Sequence, residues 1–345
     1  MKSKMAVLYE CDKPLVVEDI DVPPVLAGQV LVKLSYSGIC GSQLAEVQGK
    51  WGFDKYLPHG LGHEGSGFVV DIGPGVKKVK AGDPVVISWI EGDGLKGPTP
   101  SYYCRNQRIN AGYSVTFAEH SIVSENRLFP LHSNMPLDMA SIFGCAVATG
   151  YGAIIYDADV TPGSSVLVVG TGGVALCAVQ FASLVNANPL IVVGRSSHKL
   201  EMARKLGATH TFLIQEKDVE TKIKDLMQGR GVDCAIDAVG KSSSTEFAYR
   251  CANSNGGNVV LIGIPGHEEH ISIRSVDFDL GKKMRGGGGT SINLDRDFPK
   301  FENLYLSGKL QLELIITHRF PLNLINKALD LLAVGGQVGR AILEF

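Results

Sequence analysis

Val166-Leu167-Val168-Val169-Gly170-Thr171-Gly172-Gly173-Val174-Ala175 decides the fold. Four consecutive apolar residues fit a strand buried on both faces. The glycines that follow fit G-x-G-x-x-A. Gly170 allows the tight turn, Gly172 lets backbone amides approach a pyrophosphate, and the small Ala175 lets helix and strand pack closely. Helical spacing from Leu176 to Val185 then turns a helix N-terminus, with its free N–H groups and positive dipole end, toward the anion. Gly170, Gly172, Gly173 and Val174 are therefore the candidate dinucleotide contacts.

The flanks repeat this unit. Residues 189–193 form a second buried strand, 199–207 an amphipathic helix stopped by Gly207, and 232–237 and 258–263 further strands. Strands alternating with helices define a doubly wound parallel sheet, an α/β class. Gly286-Gly287-Gly288-Gly289 reads as a hinge or cofactor-contacting turn where the chain leaves it. Upstream the character differs. Residues 29–36 alternate apolar and polar, and 67–75 and 82–87 are short strands broken by glycine turns, as in a β-rich, barrel-like domain. A helix over 322–332 and a closing strand are expected to pack back on that domain.

The second buried strand selects the cofactor. A ribose-binding acid is expected about 20 residues past the glycines. Here the strand ends Val193-Gly194-Arg195-Ser196-Ser197, with Gly194 in the acid's place. No carboxylate repels a 2′-phosphate, Arg195 offers a charged fork, and Ser196 offers a hydroxyl. The reading favours NADP, with NAD as the alternative.

Bulk properties narrow the class. A chain of 345 residues, 45% hydrophobic and 20% charged, suits a soluble globular protein of two domains. A net charge of -2 favours neither nucleic acid nor an anionic membrane. No run approaches the ~20 apolar residues of a membrane span, and charge resumes at Glu10, too early for a signal peptide. Seven scattered cysteines make a poor disulfide framework and point to a reducing cytoplasm.

Cys40 and His63 are soft and borderline ligands suited to zinc. A third ligand is needed, and spacing alone leaves Cys145 and Glu64 both open.

The chain resembles the medium-chain, zinc-type alcohol dehydrogenase family. The resemblance rests on Gly38-Ile39-Cys40-Gly41-Ser42, Gly62-His63-Glu64-Gly65-Ser66-Gly67, Val70 to Val76, Gly82-Asp83-Pro84-Val85, Gly144 to Gly152, the glycine loop and Gly339-Arg340. It implies a GroES-like catalytic domain over 1–147 and 288–345, with a Rossmann domain over 148–287 inserted in it. It further implies that Cys40, His63 and Cys145 hold a catalytic zinc, that Glu64 can approach the metal, that Ser42 hands on the substrate proton, and that Arg340 contacts the cofactor pyrophosphate. Trp89 and Phe117 would line the cleft, with Trp51 near its mouth. Homodimers or homotetramers are the implied assembly.

Three departures from that pattern stand out. The segment from Glu91 to Cys104 holds a single cysteine, so a structural zinc is not expected beside the catalytic one. Gln43 replaces an aspartate that supports the zinc site. Ala45 replaces a relay histidine. The expected function is zinc-dependent hydride transfer between NADP(H) and an alcohol, aldehyde or ketone. The competing expectations are a zinc-free reductase similar to quinone oxidoreductases and a non-catalytic nucleotide-binding protein.

Overall fold

The structure is a computed structural model that describes all residues from Met1 to Phe345 except Ser133, Gly288 and Thr290. The expected glycine hinge and the expected boundary at 288 thus fall partly outside the described residues. The chain divides into two compact units: Met1–Cys145 with Asn293–Phe345, and Ala146–Ile292.

The first unit holds a closed barrel of five strands, in the order Lys2–Leu8, Val16–Asp21, Ser101–Cys104, Gln107–Asn110, His59–Gly60. Ser101–Cys104 and Gln107–Asn110 form a hairpin that no sequence signal marked. Its two-residue turn, Arg105-Asn106, has positive φ at both positions, the geometry that matches strand twist but normally calls for Asn-Gly. Beside the barrel lies a seven-stranded sheet. The long strand Gln29–Ile39 runs through it, pairing with Gly65–Ile72, His120–Ser124 and the C-terminal strand Arg340–Glu344. Ala341 lies opposite Ile39 and Ile342 opposite Gly38, so the end of the chain closes on the beginning of the unit, as expected.

A helix, Leu294–Leu306, also belongs to this unit and was not legible in the sequence, because Pro299 sits inside it. Asn293 caps it by accepting from the Arg296 N–H at 3.0 Å. Its Phe298 stacks on Phe129 at 5.2 Å and meets Phe143 edge-on at 5.3 Å. That aromatic cluster anchors the turn that carries Cys145.

The second unit is a six-stranded parallel sheet in the order His210–Leu213, Leu190–Gly194, Val166–Val169, Cys234–Asp237, Asn258–Leu261, Lys283–Gly286. This is the 3-2-1-4-5-6 order of a Rossmann fold. Val166, Leu167 and Val168 are fully buried, as a strand covered by helices on both faces must be. The order of strands reverses between Val166–Val169 and Cys234–Asp237, and the glycine loop emerges at that switch point.

Candidate metal and nucleotide sites

Cys40 ends the strand Gln29–Ile39 and caps the short helix Gly41–Val47. The cap is reciprocal in form: Gln43, three residues on, turns back so that its Oε1 accepts from the Cys40 backbone N–H at 2.8 Å. His63 follows an extended segment in which the Leu61 carbonyl accepts from the N–H groups of Thr116 and Phe117 at 3.1 and 2.9 Å. Cys145 lies in a wide π-helical turn, Phe143–Val147. Gly144 makes that turn possible, since a Cβ there would lie 2.2 Å from the Ile87 carbonyl oxygen. Ser88 Oγ donates to the Gly144 carbonyl at 2.7 Å and holds the turn in place.

These elements bring the ligand atoms of Cys40, His63 and Cys145 within 4.8 Å of one another. His63 Nε2 is buried and meets no oxygen or nitrogen partner, and His63 stands close enough to the Cys40 sulfur to help lower that thiol's pKa, a placement that suits ligation of one shared ion. Two thiols and an imidazole match the donor set zinc takes. Cys40 is held well below the ordinary thiol range by the hydrogen bond from Cys145 and by the positive charge of Arg340, while Cys145 is pushed up as the protonated partner. Among the described residues, one other set of three donors converges as closely, Glu46, Asp54 and His59; Cys104 belongs to neither.

Glu64 is fully buried and accepts from Arg340 Nε at 2.8 Å, with Nη2 bonded to the same oxygen. Burial opposes the charge on Arg340, but the neighbouring Cys40 and Glu64 outweigh it. Gly38 makes room for this pair: a Cβ there would lie 2.1 Å from Glu64 Oε1.

Gln43 is 2% exposed and its Nε2 meets His63 Nδ1. Ser42 Oγ is buried without a partner. Trp89 lines a cavity of about 540 Å³ in this unit, together with Gln43, Glu46, Asp54, His59 and His63. Phe117 does not line it. Its side chain is fully buried in the core, in one cluster with Ala6, Leu8 and Ile39, and its backbone is fixed there by the Ala6 N–H donating to its carbonyl at 2.9 Å. Trp51 is 40% exposed.

The segment that lacks a cysteine lobe is tied down by a carboxylate instead. Glu125, 2% exposed, accepts from the backbone N–H groups of Lys78 at 2.6 Å and Leu95 at 2.7 Å, and also from that of Lys77. No sequence signal marked it.

In the second unit, Gly172 caps the helix Gly173–Leu184 with no side-chain hydrogen bond, leaving its first N–H groups for a ligand. Gly170 has φ +116°. Gly194 packs against the loop, where a Cβ would lie 2.8 Å from Thr171 Cγ2. Arg195 is exposed just beyond it, and Ser196 caps the next helix, Ser197–Lys205. Burial and the charge of Arg195 lower the pKa of Lys199, so a second cation stands beside Arg195. Lys199 was missed in the sequence, although its position four residues after Arg195 could have drawn attention to it.

A barrel-containing unit with a Cys-His-Cys constellation, in one chain with a Rossmann unit, defines the class of zinc-type dehydrogenases. Residues 26–133 match the family described as alcohol dehydrogenase GroES-like domain, and residues 173–305 the family described as zinc-binding dehydrogenase. The chain belongs to the medium-chain, zinc-type alcohol dehydrogenase family. It is 31% identical to an S-(hydroxymethyl)glutathione dehydrogenase of Synechocystis sp., over 100% of both chains. It is also 31% identical to alcohol dehydrogenase class-2 isozyme 2 of Oryctolagus cuniculus, over 100% of this chain and 98% of that one. Among solved structures it resembles an alcohol dehydrogenase zinc-binding domain protein from Burkholderia ambifaria, with a TM-score of 0.91 and 26% identity over 100% and 99% of the two chains. Benzyl alcohol dehydrogenase from Acinetobacter calcoaceticus gives 0.89 and 25%, again over 100% and 99%. No described helix is long and apolar enough to cross a membrane.

Proposed function

We propose that this protein is a nicotinamide-dependent alcohol dehydrogenase or aldehyde/ketone reductase, with one zinc held by Cys40, His63 and Cys145 and a preference for NADP(H) over NAD(H). The observation that carries the reading is the convergence of those three donors around an unpartnered, buried His63 Nε2. Three protein ligands with a fourth position open is the pattern of a catalytic zinc. When bound, such an ion supplies Lewis acidity to an alkoxide or carbonyl, and the nicotinamide supplies the hydride chemistry.

The chain's own residues do the rest. Ser42 takes the hydroxyl proton of the alcohol. Glu64, held by Arg340, is the carboxylate that would approach the metal, and Arg340 is the residue that would contact the cofactor pyrophosphate. Gly170, Gly172, Gly173 and Val174 offer the phosphates a close backbone approach. Arg195, Ser196 and Lys199 receive the 2′-phosphate, which no acid at position 194 repels. The substrate is a small-molecule alcohol or its carbonyl counterpart. The setting we propose is the cytoplasm, as a homodimer or homotetramer; the seven free cysteines support a reducing compartment.

Retention of all three donors argues against a zinc-free reductase. The test joins elemental analysis to turnover of an alcohol and aldehyde panel with NADPH and NADH. One zinc per subunit and NADP-linked turnover are expected, both metal and turnover being lost in Cys145→Ala while the Rossmann unit still binds NADPH. No zinc after gentle purification, or NADPH binding without turnover of any substrate, overturns the reading.

A further inference from the structure

Ala45 leaves the proton that Ser42 would receive without the histidine that resembling proteins place one turn further on. The structure offers another route. Ser42 and Glu46 are four residues apart on the helix Gly41–Val47, hence neighbours on one face with Cβ atoms about 5–6 Å apart. The Ser42 hydroxyl is buried and makes no hydrogen bond, to Glu46 included, so transfer between the two requires rotation of one of these side chains. Glu46 is half-buried, and its Oε1 lies 3.8 Å from His59 Nε2, which in turn lies 2.8 Å from Asp54 Oδ2. His59 Nδ1 is 3.1 Å from the Gly60 carbonyl, which orients the ring so that Nε2 faces the two carboxylates. Glu46, His59 and Asp54 line the cavity that also reaches His63 and Trp89.

We propose that Glu46, with His59 and Asp54 behind it, is the proton acceptor of this enzyme, taking the substrate proton from Ser42 and passing it to the cavity. This rests on the dehydrogenase reading. In oxidation the alcohol gives up a hydride to the nicotinamide and a proton from its hydroxyl. That proton goes to Ser42 Oγ as Ser42 gives its own to a Glu46 oxygen. The carbonyl product, reduced cofactor and one released proton complete the balance. In reduction Glu46 donates by the same route.

The surroundings suit a group that gains and loses a proton. Burial raises the Glu46 carboxyl above its usual range; His59 draws it back down and Asp54 pushes it up. Cys11, whose Sγ lies 3.9 Å from the Glu46 carbonyl, faces the same cluster with its thiol raised by burial and by Asp54, Asp12, Glu46 and Glu10. Arg108 also lines the cavity. Asp54 is fixed in turn, its Oδ1 accepting from the Tyr56 N–H at 2.8 Å.

The test compares wild-type and Glu46→Gln holoenzyme, each with zinc content and NADPH affinity checked, across pH in alcohol oxidation. We expect Glu46→Gln to keep both and to lower kcat by about 100-fold, the scale of a positioned proton-transfer group. The activity limb that rises with pH should be lost or moved upward, and added imidazole should restore turnover. Glu46→Asp should recover part of it. Asp54→Asn is the second variant, expected to shift the limb with a smaller loss. Unchanged kcat and pH profile in a zinc-replete Glu46→Gln enzyme refutes the relay alone. So does a loss that imidazole does not rescue and that leaves the limb in place, since a structural role predicts that pattern. A wild type that turns over no alcohol removes the dehydrogenase reading, and the relay with it.

Discussion

Replacing Gln43 by glutamate should tighten zinc. The amide faces two partners at once. Its Oε1 accepts from the Cys40 N–H at 2.8 Å, which leaves Nε2, a donor, against His63 Nδ1. An N–H aimed at Nδ1 requires a lone pair there, and a neutral imidazole then carries its proton on Nε2, the atom a metal would take. Turning the amide over corrects the tautomer but points NH2 at the Cys40 N–H. One partner is therefore always mismatched. A carboxylate of the same shape accepts from both. Groups behind a metal-binding histidine typically change metal affinity by 10–100-fold. Gln43 is 2% exposed, so burying a new charge offsets part of that gain. The net expectation is about tenfold tighter zinc, or roughly 1.4 kcal/mol. Competition against a chromophoric chelator at neutral pH measures it, with circular dichroism as the control for folding. Equal or weaker zinc binding by a folded Gln43→Glu protein would refute the tautomer argument.

Three other outcomes follow from the same structure. Arg195→Ala should weaken NADPH by roughly 1.5–3 kcal/mol, the scale of a hydrogen bond to a charged group, and leave NADH nearly unchanged in titrations; equal losses would show that Arg195 does not read the 2′-phosphate. Gly38→Ala should drive Glu64 from Arg340 and destabilise the first unit by about 3 kcal/mol or more, the scale for breaking a buried ion pair, read from urea unfolding. Glu125→Ala strips acceptors from the N–H groups of Lys77, Lys78 and Leu95 and should cost roughly 3 kcal/mol. Burial raises the Glu125 pKa, but those N–H bonds outweigh it and lower it below the usual 4.5. Its contribution is then present at neutral pH and lost as the solution is acidified through the lowered value. The gap in melting temperature between wild type and Glu125→Ala should accordingly close at low pH, and a gap independent of pH would argue against the carboxylate.

The Rossmann unit was legible because its signal is local. Val166–Val169 is apolar throughout and ends in glycines, and a strand buried on both faces needs nothing more to declare itself. The cofactor reading is also local, since Gly194 and Arg195 follow directly on a buried strand. The candidate metal donors were different. Cys40, His63 and Cys145 are far apart in the chain, and spacing left the third ligand open until resemblance chose it. Pro299 hid a helix, and Arg105-Asn106 hid a hairpin whose turn has positive φ without glycine. Neither Glu64 with Arg340, nor Glu125 with the backbone of 77–95, nor Glu46 with His59 and Asp54 could be read from one dimension. Phe117 could be read either way, and the folded unit places it in the core. Hydrophobic periodicity and turn chemistry act between neighbours and are written in order along the chain. Which side chains meet depends instead on sheet register and on elements such as Gln29–Ile39 and Arg340–Glu344, which pair across some 300 residues, and only the folded molecule decides that.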